Sequence, residues 1–163
     1  MKKRKNIKAA SPASSKIMIS PDLRNPFKRD YLNFFINLAA ILLGALFFAA
    51  IFPNVLIENG LPFLAWIVYV PIFWVIRRSS FKACFFWGAI YGYSAYGLFN
   101  YWLTVFHPLA GIIVGSIYLV YLAFLFPLLK LAVVLFPRRF YLFQFLIWMS
   151  FEYLRTLGFL GYS

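Results

Sequence analysis

The chain has 163 residues, of which 64% are hydrophobic, 23% aromatic and only 12% charged, and its formal net charge is +12. A soluble domain is usually about half apolar and a quarter charged, and a globule of this size has too little interior to hide so much apolar surface from water. Composition therefore excludes an ordinary soluble enzyme and points to lipid as the surrounding solvent.

The charge does not make the chain a nucleic-acid binder. Nine of its sixteen Lys and Arg (Lys2, Lys3, Arg4, Lys5, Lys8, Lys16, Arg24, Lys28 and Arg29) fall in residues 1–30, where they form an arm rather than a groove-binding face. A polybasic segment beside a membrane span suits anionic headgroups and topology control. The low apolar content of residues 1–30, and the low complexity of residues 9–15, predict a disordered cytoplasmic arm.

A first span is predicted over residues 31–52, 22 residues or about 33 Å of helix, enough to cross the hydrocarbon core. The run is longer than a secretory h-region, so it reads as a retained span. Pro53 and Asn54 end it, and the connection to Gly60 carries Glu58 but no Lys or Arg. A short second span is predicted over residues 61–76, with Pro62 in its first turn and Pro71 kinking its interior. Arg77, Arg78 and Lys82 form a basic turn.

The third predicted span, residues 81–106, is rich in Gly and aromatic residues. Gly88 and Gly92 are four apart, share one face and allow close helix approach. His107-Pro108 makes the next turn, and a fourth span follows over residues 109–136, with Gly111 and Gly115 repeating the spacing and Pro127 and Lys130 near its far end. After Pro137-Arg138-Arg139 a fifth span runs over residues 140–160. Basic residues collect on alternate loops, as cytoplasmic loops do. The predicted fold class is thus all-α: a polytopic membrane helical bundle over residues 31–163, with about five transmembrane helices and a cytoplasmic N-terminus.

Polar residues within these spans are few, and a charge in hydrocarbon needs a partner or a purpose. Glu152 and Arg155 are three apart, share a helix face and can pair. Two readings stand: an ion pair that ties helices together, or a polar site near the outer leaflet that meets a lipid headgroup or a soluble domain. His107, at an outer loop, is either simply solvated or a proton-transfer or headgroup contact. Lys130 is expected to snorkel to the cytoplasmic surface. Cys84 lies among Phe81, Phe85 and Phe86, an apolar setting that keeps a thiol inert. One His and one Cys make no metal site, and no phosphate loop or Ser–His–Asp set is present, so neither metal nor cofactor is expected.

Three stretches carry a family likeness. Phe52-Pro53 is followed by Gly60-Leu61-Pro62-Phe63-Leu64-Ala65-Trp66 and Val70-Pro71-Ile72-Phe73-Trp74. Phe86-Trp87-Gly88 leads to Tyr101-Trp102-Leu103, and Trp148 precedes Glu152-Tyr153-Leu154-Arg155 and Gly158-Phe159-Leu160-Gly161-Tyr162. In order and spacing these resemble the N-terminal membrane portion of bacterial apolipoprotein N-acyltransferases. The last stretch is similar to the family's Glu-Trp-Leu-Arg and Gly-Phe-Pro-Trp elements, with Tyr153 in place of the usual Trp and Leu160-Gly161-Tyr162 departing from the usual continuation.

The resemblance implies acyl transfer from a phospholipid to the N-terminal, diacylglyceryl-modified cysteine of a lipoprotein, through a thioester. It implies a Cys nucleophile, a Glu base and a Lys at the oxyanion, all in a nitrilase-like domain on the outer face. None of that triad is carried over here. Glu152, Arg155 and, less directly, His107 are the candidate lipid- or substrate-proximal residues. The chain is expected to stop before the catalytic domain, as a fragment or as half of a split enzyme, and to be inactive alone. The implied partners are the phospholipid bilayer, a missing or separately encoded catalytic domain and a lipoprotein substrate. The competing class is a small membrane scaffold whose glycine faces, Gly88 with Gly92 and Gly111 with Gly115, bind a partner's helix. A channel or transporter would need more intramembrane charge than Glu152, Arg155 and Lys130 supply.

Overall fold

The computed structural model describes residues 26–54 and 57–157; the arm up to residue 25 and the closing Gly158–Tyr162 stretch lie outside the described residues. Among the described residues the chain is all-helical: α1 (Pro26–Ile51), a 3-10 turn (Pro62–Trp66), α2 (Tyr69–Arg78), α3 (Phe81–Phe99), a second 3-10 turn (Tyr101–Val105), α4 (Ala110–Leu135) and α5 (Phe140–Leu157).

The first helix starts at Pro26, inside the stretch read from sequence as the arm. Proline is favoured at a first helical position, and no Gly or further Pro separates it from the apolar run, so the helix propagates outward at little cost. It stops at Ile51 because Phe52 precedes a proline, which disfavours the helical conformation. The Asn54 amide donates to the carbonyls of Ala49 (3.3 Å) and Phe52 (3.1 Å), and its oxygen accepts from the Ile57 N–H at 2.9 Å. Leu61 N–H then returns to the Ala50 carbonyl at 2.8 Å. Gly60 permits this return. Its φ is +61°, and a Cβ there would stand 2.4 Å from the Ile51 carbonyl oxygen.

The second predicted span is two pieces, not one kinked helix. Pro71 is the third residue of α2, in the first turn, where a missing N–H has no intrahelical partner. It therefore introduces no kink, and the irregular step falls at Ile67 and Val68, before α2. Likewise the third predicted span is α-helical only to Phe99. There the Asn100 side chain donates to the Tyr96 carbonyl at 2.8 Å, and the chain tightens into the second 3-10 turn. At the other end of α3, Ser80 Oγ accepts from the Ala83 N–H at 3.2 Å as an N-cap.

The bundle is centred on α3 and α4. A Cβ on Gly88 would lie 2.2 Å from the Leu122 carbonyl oxygen, and one on Gly92 would lie 2.3 Å from that of Tyr118, so the two backbones touch. Around this seam Tyr91, Tyr96, Tyr118, Leu122, Phe126 and Leu129 are fully buried. Ile41, Ala45 and Phe48 of α1 close one side, and Trp148 of α5 joins from another. The outside is equally apolar: Leu43 and Leu46 of α1, Phe124 and Val134 of α4, and Phe145 and Leu154 of α5 are all exposed. Among the described residues two helices are long and apolar enough to cross a membrane, at Asp30–Ile51 and Ala110–Leu135. The expected five do not all meet that measure. The ten residues of α2 cover only about 15 Å, and α5 carries Gln144, Glu152 and Arg155.

Candidate functional site

Four polar side chains, Tyr96, Tyr118, Glu152 and Arg155, meet at one point between α3, α4 and α5. On α5 the three-residue spacing brings Arg155 onto Glu152: its Nη2 lies 2.7 Å, and its Nε 2.9 Å, from the same carboxylate oxygen, Oε2. The other oxygen, Oε1, accepts from the Tyr96 hydroxyl of α3 at 3.0 Å. Arg155 Nη1 donates to the Tyr118 hydroxyl of α4 at 3.4 Å. The Tyr96 and Tyr118 rings stack with centroids 3.8 Å apart, and the guanidinium lies 5.7 Å from the Tyr96 ring centre. Both oxygens of the carboxylate and three nitrogens of the guanidinium thus have partners. The pair is neutral overall, joins three helices and remains partly open, with Arg155 17% and Glu152 23% exposed. Among the described residues it is the one ion pair.

Sequence spacing identifies Glu152 and Arg155 but misses Tyr96 and Tyr118. Their only local signal is a phenol in an apolar helix, whose hydroxyl needs a partner when buried. The second feature nearby is an apolar groove of about 740 Å³ between the end of α1, the returning connection and the end of α3. Leu46, Ala50, Phe52, Leu64, Phe99 and Trp102 line it. The ring of Phe48, 5.0 Å from Tyr96 and 5.7 Å from Phe99, separates the groove from the polar cluster.

His107 is not part of the cluster. It is exposed, its Nδ1 accepts from the Leu109 N–H at 3.2 Å, and it shares no hydrogen bond with Glu152 or Arg155. The four glycines also divide. Gly88 and Gly92 abut the α4 backbone, whereas Gly115 faces the Tyr93 ring and Gly111 faces Thr104 of the preceding 3-10 turn. Cys84 is buried, with Sγ 4.0 Å from the Ile76 carbonyl oxygen. Among the described residues no three His, Cys, Asp or Glu side chains converge to hold a metal ion.

All of these elements fall within one match to known proteins. The family model described as the apolipoprotein N-acyltransferase N-terminal domain matches residues 36–163. The chain belongs to this family. A Treponema denticola protein named apolipoprotein N-acyltransferase 1 is 43% identical over 136 residues, which is 83% of this chain and 25% of that protein. The Treponema pallidum protein of the same name is 41% identical over 115 residues, 71% of this chain and 21% of that protein. The chain thus spans about a quarter of the length of the curated relatives it matches. No solved structure gives a significant match. The matched residues of this chain include the Glu152–Arg155 pair, both of its tyrosine partners and the groove-lining residues.

Proposed function

We propose that this chain is the membrane-embedded N-terminal module of an apolipoprotein N-acyltransferase in a bacterial cytoplasmic membrane. In this reading its five helical segments cross the bilayer, the N-terminus is cytoplasmic, and a catalytic domain encoded outside these residues performs acyl transfer from phospholipid to a lipoprotein's N-terminal cysteine. The family match supports the activity. The observation that carries the membrane assignment is the apolar exterior: large apolar side chains face outward on every helix, while Glu152 and Arg155 pair with each other and with tyrosines of neighbouring helices. Water would penalise that arrangement and lipid favours it, because intramembrane charges face the bundle interior and pair there.

In this reading the second segment makes a short crossing out of two helical pieces and the residues that link them. The ten residues of α2 contribute about 15 Å and the five of the preceding 3-10 turn about 10 Å, before the linking residues are added. Charge supports the orientation, since Arg77, Arg78, Lys82, Arg138 and Arg139 lie on one set of loops and Glu58 and His107 on the other. The polar cluster and the groove are the places where this module would support an acyl donor approaching the outer face. No observation favours the scaffold alternative: Gly88 and Gly92 abut α4 of the same chain, and Gly111 and Gly115 face its Thr104 and Tyr93.

A chimera tests the proposal. Residues 31–163 replace the matching spans of the Treponema denticola relative, and lipoprotein N-acylation is measured in a strain lacking its own enzyme. The chimera is expected to restore N-acylation and the 163-residue chain alone is not. A chimera that inserts stably but leaves lipoproteins unacylated would overturn the assignment.

A further inference from the structure

The Arg and Lys residues of the two basic turns do not simply line the predicted cytoplasmic end; the fold gathers them. Lys130 of α4 donates to the Arg77 carbonyl at the end of α2, at 2.9 Å. The Arg77 guanidinium lies 5.5 Å from the centre of the Phe140 ring at the start of α5. The Arg78 guanidinium lies 4.2 Å from the centre of the Trp74 ring and reaches Asn33 of α1 at 3.4 Å. These contacts draw the ends of α1, α2, α4 and α5 together, with Lys82 at the start of α3 and Arg138 and Arg139 on the α4–α5 turn. Arg77, Arg78, Lys82, Arg138 and Arg139 are exposed and Lys130 is half-buried. None of these six forms an ion pair among the described residues, and the one described carboxylate at this end is Asp30, a turn before Asn33 on α1.

We infer that this end of the bundle is a binding site for an anionic glycerophospholipid of the cytoplasmic leaflet. The inference rests on the membrane reading above, and it concerns the face opposite the proposed acyl-transfer site. The chemistry matches the ligand at two levels. The guanidiniums of Arg78 and Arg77, placed over the Trp74 and Phe140 rings, can still offer donors to phosphate oxygens, and the ring contacts restrict their rotamers. Exposed Phe81, Phe85 and Trp74 beside them offer apolar and interfacial surface to acyl chains. A zwitterionic headgroup would bring an ammonium into a cluster with one carboxylate to receive it. A headgroup of net negative charge brings no such conflict, and basic pockets between helix ends on this side are a known way of holding one.

The test uses the full chain purified in a neutral detergent and titrated with phosphatidylglycerol or phosphatidylcholine, with bound lipids counted by native mass spectrometry. Phosphatidylglycerol is expected to bind about tenfold more tightly or better, and the preference is expected to weaken as salt rises. The triple variant Arg77→Gln, Arg138→Gln, Arg139→Gln should lose the preference. A variant with Lys2, Lys3 and Lys5 changed to Gln removes the same charge from the arm and should keep it. If the first triple variant melts early, Arg138→Gln alone, on the exposed turn, should still reduce the preference. Equal binding of the two lipids, or equal loss in both triple variants, overturns the site. Fractionation separates this from failure of the membrane reading. A chain found in the membrane fraction that does not discriminate between the lipids sinks only this inference, whereas a chain soluble without detergent sinks both.

Discussion

Replacing Gly88 with Ala should destabilise the bundle, although alanine is the better helix former. The added Cβ would stand 2.2 Å from the Leu122 carbonyl oxygen and 2.8 Å from its carbon, and neither backbone atom can swing aside as a side-chain tip can. Restoring ordinary van der Waals contact requires α3 and α4 to separate by roughly 1 Å, and a gap of that size forfeits up to about half of the dispersion energy along the seam. Overpacking a tight core costs about 1–3 kcal/mol, and a backbone clash belongs at the upper end, about 2–3 kcal/mol. Gly97 is the internal control, because a Cβ there meets nothing within 4 Å. Gly97→Ala should stabilise by about 0.5–1 kcal/mol through helix propensity alone. Unfolding in mixed micelles with rising SDS, followed by tryptophan fluorescence, measures both. The expected result is a lower midpoint for Gly88→Ala and an equal or higher one for Gly97→Ala. If Gly88→Ala raises the midpoint as Gly97→Ala does, the two helices are not in backbone contact and the reasoning fails.

Other variants probe the polar cluster and the core. Glu152→Leu leaves Arg155 without its carboxylate, and Arg155→Leu leaves Glu152 without its cation; each should cost about 2–3 kcal/mol, below a fully buried pair because the groups are partly open. The double variant should cost less than the sum of the two, and additive losses in the same micelle assay would show that the pair is not coupled. Tyr96→Phe removes one hydroxyl from the Glu152 carboxylate and should cost about 1–2 kcal/mol, measured relative to Tyr121→Phe at an exposed site. Cys84 should resist a small maleimide in the folded protein and react fully after denaturation; rapid labelling of the native chain would contradict its burial.

How much of this was readable beforehand follows from the range of each interaction. The termini of α4 and α5 are local matters of Pro and apolar run length, and they fall close to the predicted 109–136 and 140–160 spans, the last three positions of the latter lying outside the described residues. The division of the second span was legible in principle, since Pro71 lacks the N–H that a continuous helix would need there. The break after Phe99 was not, because no Gly or Pro marks it; the side chain of Asn100 does. At the site, the Glu152–Arg155 spacing is a local fact about one helix. Tyr96 and Tyr118 lie 56 and 37 residues from their partners, so only tertiary packing brings them in. The glycine spacing announced a close helix contact without saying which helix would fill it. The groove draws on three separate segments and leaves no pattern in any of them.

The most direct test of the membrane account is cysteine accessibility in intact cells, with Cys84→Ser as background and single cysteines at Glu58, His107, Lys82 and Arg139. An impermeant maleimide should label the first two from outside and the last two only after the membrane is opened. Labelling of all four from one side would contradict the crossing pattern on which the proposed module depends.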